Sequence, residues 1–283
     1  MHVSSVIFLI LSTTFPISEA DFDIPLVLDF DGVPECIQAC LSDLFYSVSD
    51  LVRPENPVRR FHDFCRNYNN ASLCVENHKE KCSQTTVFNI ALSGIDELCH
   101  EKEQDVLQHR ECLESHSGTV LNGCDSVCHF TDFMIMLSGK GDAQRLKKLE
   151  ADKEALQKET GSACTAFGCM SSCVAREFNM NCSPLGSIIV EALTKPFFTI
   201  ATIFEEIGPR AKISIYRQVP PQCYYLVNYE EIRGLSAGKA PNKVLFKNPE
   251  EAILNEITTR EEMKSRKKAE LEKQFLMEAQ MGM

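Results

Sequence analysis

Three cysteine pairs recur at one spacing, Cys36 with Cys40, Cys124 with Cys128, and Cys169 with Cys173, in a chain of 283 residues. Spacing by four places both sulfurs of a pair on one face of a helix. Two such helices packed antiparallel can be joined by two bridges. The arrangement expected on this logic links the first pair to the second, Cys36 to Cys128 and Cys40 to Cys124. In each copy an acidic and then an apolar residue follow the second cysteine: Asp43 with Leu44, Asp132 with Phe133, Glu177 with Phe178.

All fourteen cysteines lie downstream of a short apolar run, Val6 to Leu11, followed by Ser18-Glu19-Ala20 with small residues at the two cleavage positions. That pattern predicts a signal peptide over residues 1–20 and a mature chain starting at Asp21. An oxidising compartment follows from it, and an even cysteine count suits a fully bridged secreted chain. The expected bridge-formers are Cys36, Cys40, Cys65, Cys74, Cys82, Cys99, Cys112, Cys124, Cys128, Cys164, Cys169, Cys173, Cys182 and Cys223. Cysteine stays below the density at which bridges replace a core, so disulfides supplement packing.

Helical spacing appears from Pro34 onward in Ile37, Leu41, Leu44, Phe45, Val48 and Leu51, and again from Val87 to Leu98, ending near Cys99. A third helix is expected over Cys124 to Leu137. Ser138-Gly139-Lys140-Gly141-Asp142 breaks the pattern, and a charged connector helix follows from Arg145 to Glu159. Ile188 to Phe204 is the most apolar later segment. Glu191, Lys195 and Pro196 within it favour a buried or interdomain helix over a membrane span. Around Ile213 to Ile215 and Val219-Pro220-Pro221-Gln222-Cys223 the composition turns loop-like or extended. The expectation is an all-α, mainly helical, disulfide-stapled secreted fold. It divides into a cysteine-rich domain over 21–140, a connector with a second, reduced cysteine-rich segment over 141–236, and a mobile, charged, partly helical tail over 237–283.

Net charge is −11, and the tail from Ala237 holds nine Lys or Arg against eight Asp or Glu, so the acidic surplus lies in the cysteine-bearing body. Concentrated positive charge is missing, which excludes nucleic acid as the expected partner.

Phe61-His62-Asp63-Phe64-Cys65 superficially resembles the His-Asp-x-Cys string of secreted phospholipases A2, but the glycine-rich calcium loop and the double cysteine before the histidine are absent. Neither a His-Glu-x-x-His zinc motif nor a Gly-x-Ser-x-Gly elbow occurs. No catalytic residue, metal site or cofactor is expected. Zinc knuckles want Cys-x-x-Cys, whereas the pairs here are spaced by three. Asp21, Asp23, Asp29 and Asp31 lack the rest of an EF-hand and read as a solvated acidic end. Asn70-Ala71-Ser72 is an N-glycosylation acceptor; Asn181-Cys182-Ser183 also fits, but a bridged Cys182 and Pro184 should hinder it. Ser-Gly pairs, the minimal acceptor for xylose-linked chondroitin, occur at Ser93, Ser117 and Ser138. Ser138 leads as attachment site, because its glycine-rich surroundings favour extended backbone, and Ser117 near Glu114 is the competitor.

Phe61, Phe64-Cys65, Tyr68, Ala71, Cys74, Cys82, Leu92-Ser93-Gly94, Cys99, Cys112 and Cys124 to Cys128 together resemble the cysteine framework of the nematode chondroitin proteoglycan 4 domain, over roughly Pro34 to Phe130 and extending toward Cys223. The resemblance implies a non-catalytic extracellular core protein of eggshell or other matrix, with matrix proteins or glycans as partners. A secreted receptor-like or lipid-binding helical module is the alternative, with Ile188 to Phe204 as its sequence hint.

Overall fold

The computed structural model describes residues 35–51, 56–78, 89–132 and 152–242, with single positions at 258 and 265. Every regular element among them is helical. Ser138, the expected signal peptide and, positions 258 and 265 apart, the tail beyond Asn242 lie outside the described residues.

Helix α1 (Glu35–Leu51) buries Ile37, Leu41 and Leu44, one apolar residue per turn, against α2 (Pro57–His78). Proline at the first position of α2 suits a helix start, where its missing N–H leaves no bond unmade. The stripe Phe61, Phe64, Cys65, Tyr68, Ala71 and Val75 steps by three and four, so one face of α2 is core and the other water. Next comes α3 (Ser93–Asp96), continuing into a π-helical turn, Glu97–Glu101, then α4 (Glu103–Gln108) and α5 (Arg110–Cys128). His129 ends α5 in the left-handed conformation (φ 51°); residues 130–132 are helical again, and Leu137, where periodicity puts the helix end, lies outside the described residues.

Asp152 caps α6 (Lys153–Cys182) by accepting from the backbone N–H groups of Glu154 and Ala155. The expected connector helix therefore runs on, from Lys153, as the first turns of the longest helix described. Helix α7 (Leu185–Ile207) returns antiparallel along α6, and Gly186 makes that hairpin close: a Cβ there would stand 2.3 Å from the Ala175 carbonyl oxygen. Short α8 (Pro209–Tyr216), a 3₁₀ helix (Pro221–Val227) and α9 (Tyr229–Ser236) complete the body. Ile213 to Ile215, within α8, and the segment after Pro220, both expected to be loop-like or extended, are thus helical. Proline suits the first position of the 3₁₀ helix, and Cys223, Tyr224, Tyr225, Leu226 and Val227 are all buried.

One continuous apolar cluster runs from Ile37 to Leu235. Its centre is the α6–α7 hairpin, against which α3, α5, the 3₁₀ helix and α9 pack. Three disulfides cross position 140, tying the segments on either side of it.

By length and composition α7 is long and apolar enough to cross a membrane. Here it packs as a core helix on Val190, Ala192, Phe197 and Ala201, while Ile203 and Ile207 at its C-terminal end are exposed. Pro196 sits inside it. A mid-helix proline has no N–H to give to the carbonyl four residues back, here Ala192. It is against this carbonyl that α3 packs: a Cβ on Gly94 would lie 1.8 Å from the Ala192 oxygen.

Candidate functional site

Six disulfides join the described residues: Cys40–Cys74, Cys65–Cys99, Cys112–Cys182, Cys124–Cys173, Cys128–Cys169 and Cys164–Cys223. The first staples α1 to α2 and the second pins α2 to the π-helical turn. Three run between α5 and α6, and the last ties α6 to the 3₁₀ helix. Cys36 and Cys82 complete the fourteen; Cys82 and the side chain of Cys36 lie outside the described residues.

The expected Cys36–Cys128 and Cys40–Cys124 bridges do not form. Cys40 is bound to Cys74, while Cys124 and Cys128 are bound to Cys173 and Cys169. The physical reason is partner choice. Antiparallel helices joined in adjacent hairpins, α1 with α2, close shorter loops than α1 with α5. The double bridge between two Cys-x-x-x-Cys helices does exist, in the antiparallel register expected, but it links the second and third copies.

The string resembling a phospholipase site is a helix surface above a staple. His62 is exposed, with Nδ1 3.4 Å from Glu103 Oε1. Asp63 instead faces Arg66, Nη2 lying 2.7 Å from Oδ1. Phe64 is core, and Cys65 is in its bridge.

Below it lies a polar cluster that the sequence reading passed over. The Tyr68 hydroxyl donates to Asp96 Oδ1 at 2.8 Å, and His100 Nδ1 lies 2.9 Å from the same oxygen. The Tyr68 and His100 rings meet edge to face at 5.8 Å. Burial first, and then the Asp96 carboxylate accepting its proton, push the Tyr68 hydroxyl far above the usual phenol range. The π-helical turn brings His100 to this position beside Cys99, and four-residue spacing of Asp96 and His100 is the signal that would have found it.

Two clusters have the composition of metal sites: Cys40, Cys74 and His78, and Cys112, Cys182 and His116. In each the cysteines are bridged to one another, so no thiolate exists to ligate. The histidines sit one turn after a cysteine, with Nδ1 facing its backbone carbonyl, His78 at 2.8 Å from Cys74 O and His116 at 3.1 Å from Cys112 O.

The modification candidates separate by burial. Asn70 is exposed on the outer face of α2, with Ser72 exposed beside it. Asn181 is also exposed, but its Nδ2 donates to Glu177 O and its neighbour Cys182 is in a bridge. Ser93 is helical, its hydroxyl donating to Ile90 O. Ser117 is only 4% exposed inside α5, with no hydrogen-bond partner for its hydroxyl. Ser138 lies outside the described residues.

This geometry defines an all-α body, stapled by disulfides and without a free thiol among the described residues. The profile of the chondroitin proteoglycan 4 family matches residues 26–232, and the chain belongs to that family. A curated protein similar to it, chondroitin proteoglycan 4 of Caenorhabditis briggsae, is 22% identical over 308 residues, covering 83% of this chain and 44% of the relative. The chain thus spans less than half the length of that relative. No solved structure matches.

Proposed function

We propose that this chain is a secreted, non-catalytic structural or interaction protein, a proteoglycan-type core protein of extracellular or eggshell matrix. The observation that carries the reading is the commitment of every cysteine whose side chain is described to a bridge holding helices together. Such a framework withstands an oxidising, protease-rich exterior. Family membership supports it, since the family is named for a proteoglycan and not for an enzyme class. The partners proposed are matrix proteins or glycans.

Within this reading Asn70 carries an N-linked glycan and Ser138 the chondroitin chain. Ser117 loses its place as competitor, because a transferase cannot reach a hydroxyl buried in α5. The test is mass spectrometry of the secreted, unreduced protein, with and without chondroitinase, beside Ser138→Ala. The mature chain should begin at Asp21. A chondroitinase shift lost in Ser138→Ala supports the assignment; a shift in both assigns the chain elsewhere, and no shift in either leaves a matrix protein without it.

The second reading, a lipid-binding module, draws on exposed Ile203 and Ile207 at the end of an otherwise apolar α7. Co-sedimentation with liposomes, abolished by Ile207→Asp, would favour it over a matrix role.

A further inference from the structure

A groove of about 370 Å³ opens where the π-helical turn, α7 and α9 meet. Glu97 lines it from the turn, Glu191, Lys195 and Phe198 from α7, and Tyr229 and Arg233 from α9. We propose that this groove binds a neutral saccharide unit, a role that does not depend on whether the chain carries chondroitin.

Three observations point to that ligand class. The lining charges balance, two carboxylates against an ammonium and a guanidinium, so a ligand of either net charge meets as much repulsion as attraction. The same four groups offer both acceptors and donors at close quarters, which suits a ligand made of hydroxyls, each of which donates and accepts. Lys195 Nζ lies 2.7 Å from Glu97 Oε2. The pairing favours the charged ammonium, whose other N–H groups remain in the lining of the groove as donors.

The apolar component is aromatic. Phe198 and Tyr229 pair with ring centroids 4.5 Å apart and planes tilted by 46°. An aromatic wall beside convergent polar groups matches a pyranose, whose ring hydrogens form an apolar face and whose rim is polar. The volume falls in the range of small-molecule sites and holds one or two sugar units.

The experiment uses the full secreted chain. Neutral β-linked tetrasaccharides of hexose and of N-acetylhexosamine are titrated calorimetrically, with a sulfated chondroitin tetrasaccharide as the charged comparator. The expected result is sub-millimolar binding of at least one neutral tetrasaccharide, weakened at least tenfold by Arg233→Ala and by Tyr229→Ala at unchanged melting temperature. Should either variant unfold, saturation-transfer NMR on the wild type decides. Transfer concentrated on the ring hydrogens of one pyranose face supports the stacking, and transfer spread evenly over the ligand overturns it. Preference for the charged tetrasaccharide, no binding of any neutral one, or binding indifferent to both substitutions also overturns the proposal.

Discussion

Gly94 belongs to Ser93-Gly94, which sequence reading can only count among candidate transferase acceptors. The structure gives that glycine a different purpose: the carbonyl freed by Pro196 occupies the space a side chain would need. No local pattern reveals this, because residues 94 and 192 meet only in the fold. Gly94→Ala should therefore force α3 from α7 and lower stability by about 1–3 kcal/mol, the usual cost of overpacking. Gly123→Ala, whose Cβ would meet nothing within 4 Å, should be neutral to stabilising. Urea unfolding of the two variants side by side checks the pair. Tyrosines supply a second residue-scale prediction. Burial raises the hydroxyls of Tyr68, Tyr224 and Tyr225, and the first donates to Asp96. Because their folded pKa values exceed the unfolded one near 10, their contribution is intact below about pH 10 and fades as pH rises beyond it. Melting temperature should fall between about pH 10 and 12. In absorbance titration Tyr68, Tyr224 and Tyr225 should ionise late, only as the fold opens. Titration of all six tyrosines together near pH 10 would contradict the burial.

Among the elements, those with a clean apolar stripe were legible. Helix α1 begins where Pro34 and the Ile37–Leu41–Leu44 spacing put it, and α7 contains all of the apolar run from Ile188 to Phe204. Helix α6 was not legible as one element, since the charged stretch to Glu159 read as a connector and the Cys169–Cys173 stretch as part of a separate segment. Gly161 and Gly168 inside it admit neighbours, Gln222 and Pro220 beside the first, Pro241 and Tyr225 beside the second. Cysteine spacing revealed which face of each helix bears sulfur, but a face does not name the helix opposite it. The bridges also differ in what they add. Cys124–Cys173 and Cys128–Cys169 are nested, so with one closed the other closes a loop of only about ten residues, worth about 2.5 kcal/mol in the chain-entropy picture. Cys164–Cys223, 59 residues apart with no parallel bridge to the 3₁₀ helix, is worth about 4 kcal/mol. Replacing both cysteines of a bridge by Ala should therefore cost more for the second than for the first, measured by guanidinium midpoint. Equal costs would show that the nested pair is not redundant.

For the whole molecule, six bridges use twelve of the fourteen cysteines, leaving Cys36 and Cys82. We predict that these two pair with one another, so that the denatured, unreduced protein shows no reactive thiol and peptide mapping finds a 36–82 link. A free thiol, or a disulfide-linked dimer through either residue, would refute it. The described bridges fall into two sets, one within residues 40–99 and one within 112–223, with none between. A single proteolytic cut between Glu101 and Glu111 should thus release two fragments on a non-reducing gel once denatured, whereas a cut between Asp132 and Asp152 should leave the pieces joined.

The gap between the two sets matters most for a chain under tension. A pull along the backbone reaches a bridge within each lobe before that lobe can unravel, and covalent bonds then carry the load. Between Cys99 and Cys112 a single strand carries it alone, held otherwise only by packing such as that of α3 on α7. Its thirteen steps extend to roughly 45 Å when straight. Under such a load the molecule would behave as two stiff beads on a short tether, yielding once by that length and then stopping.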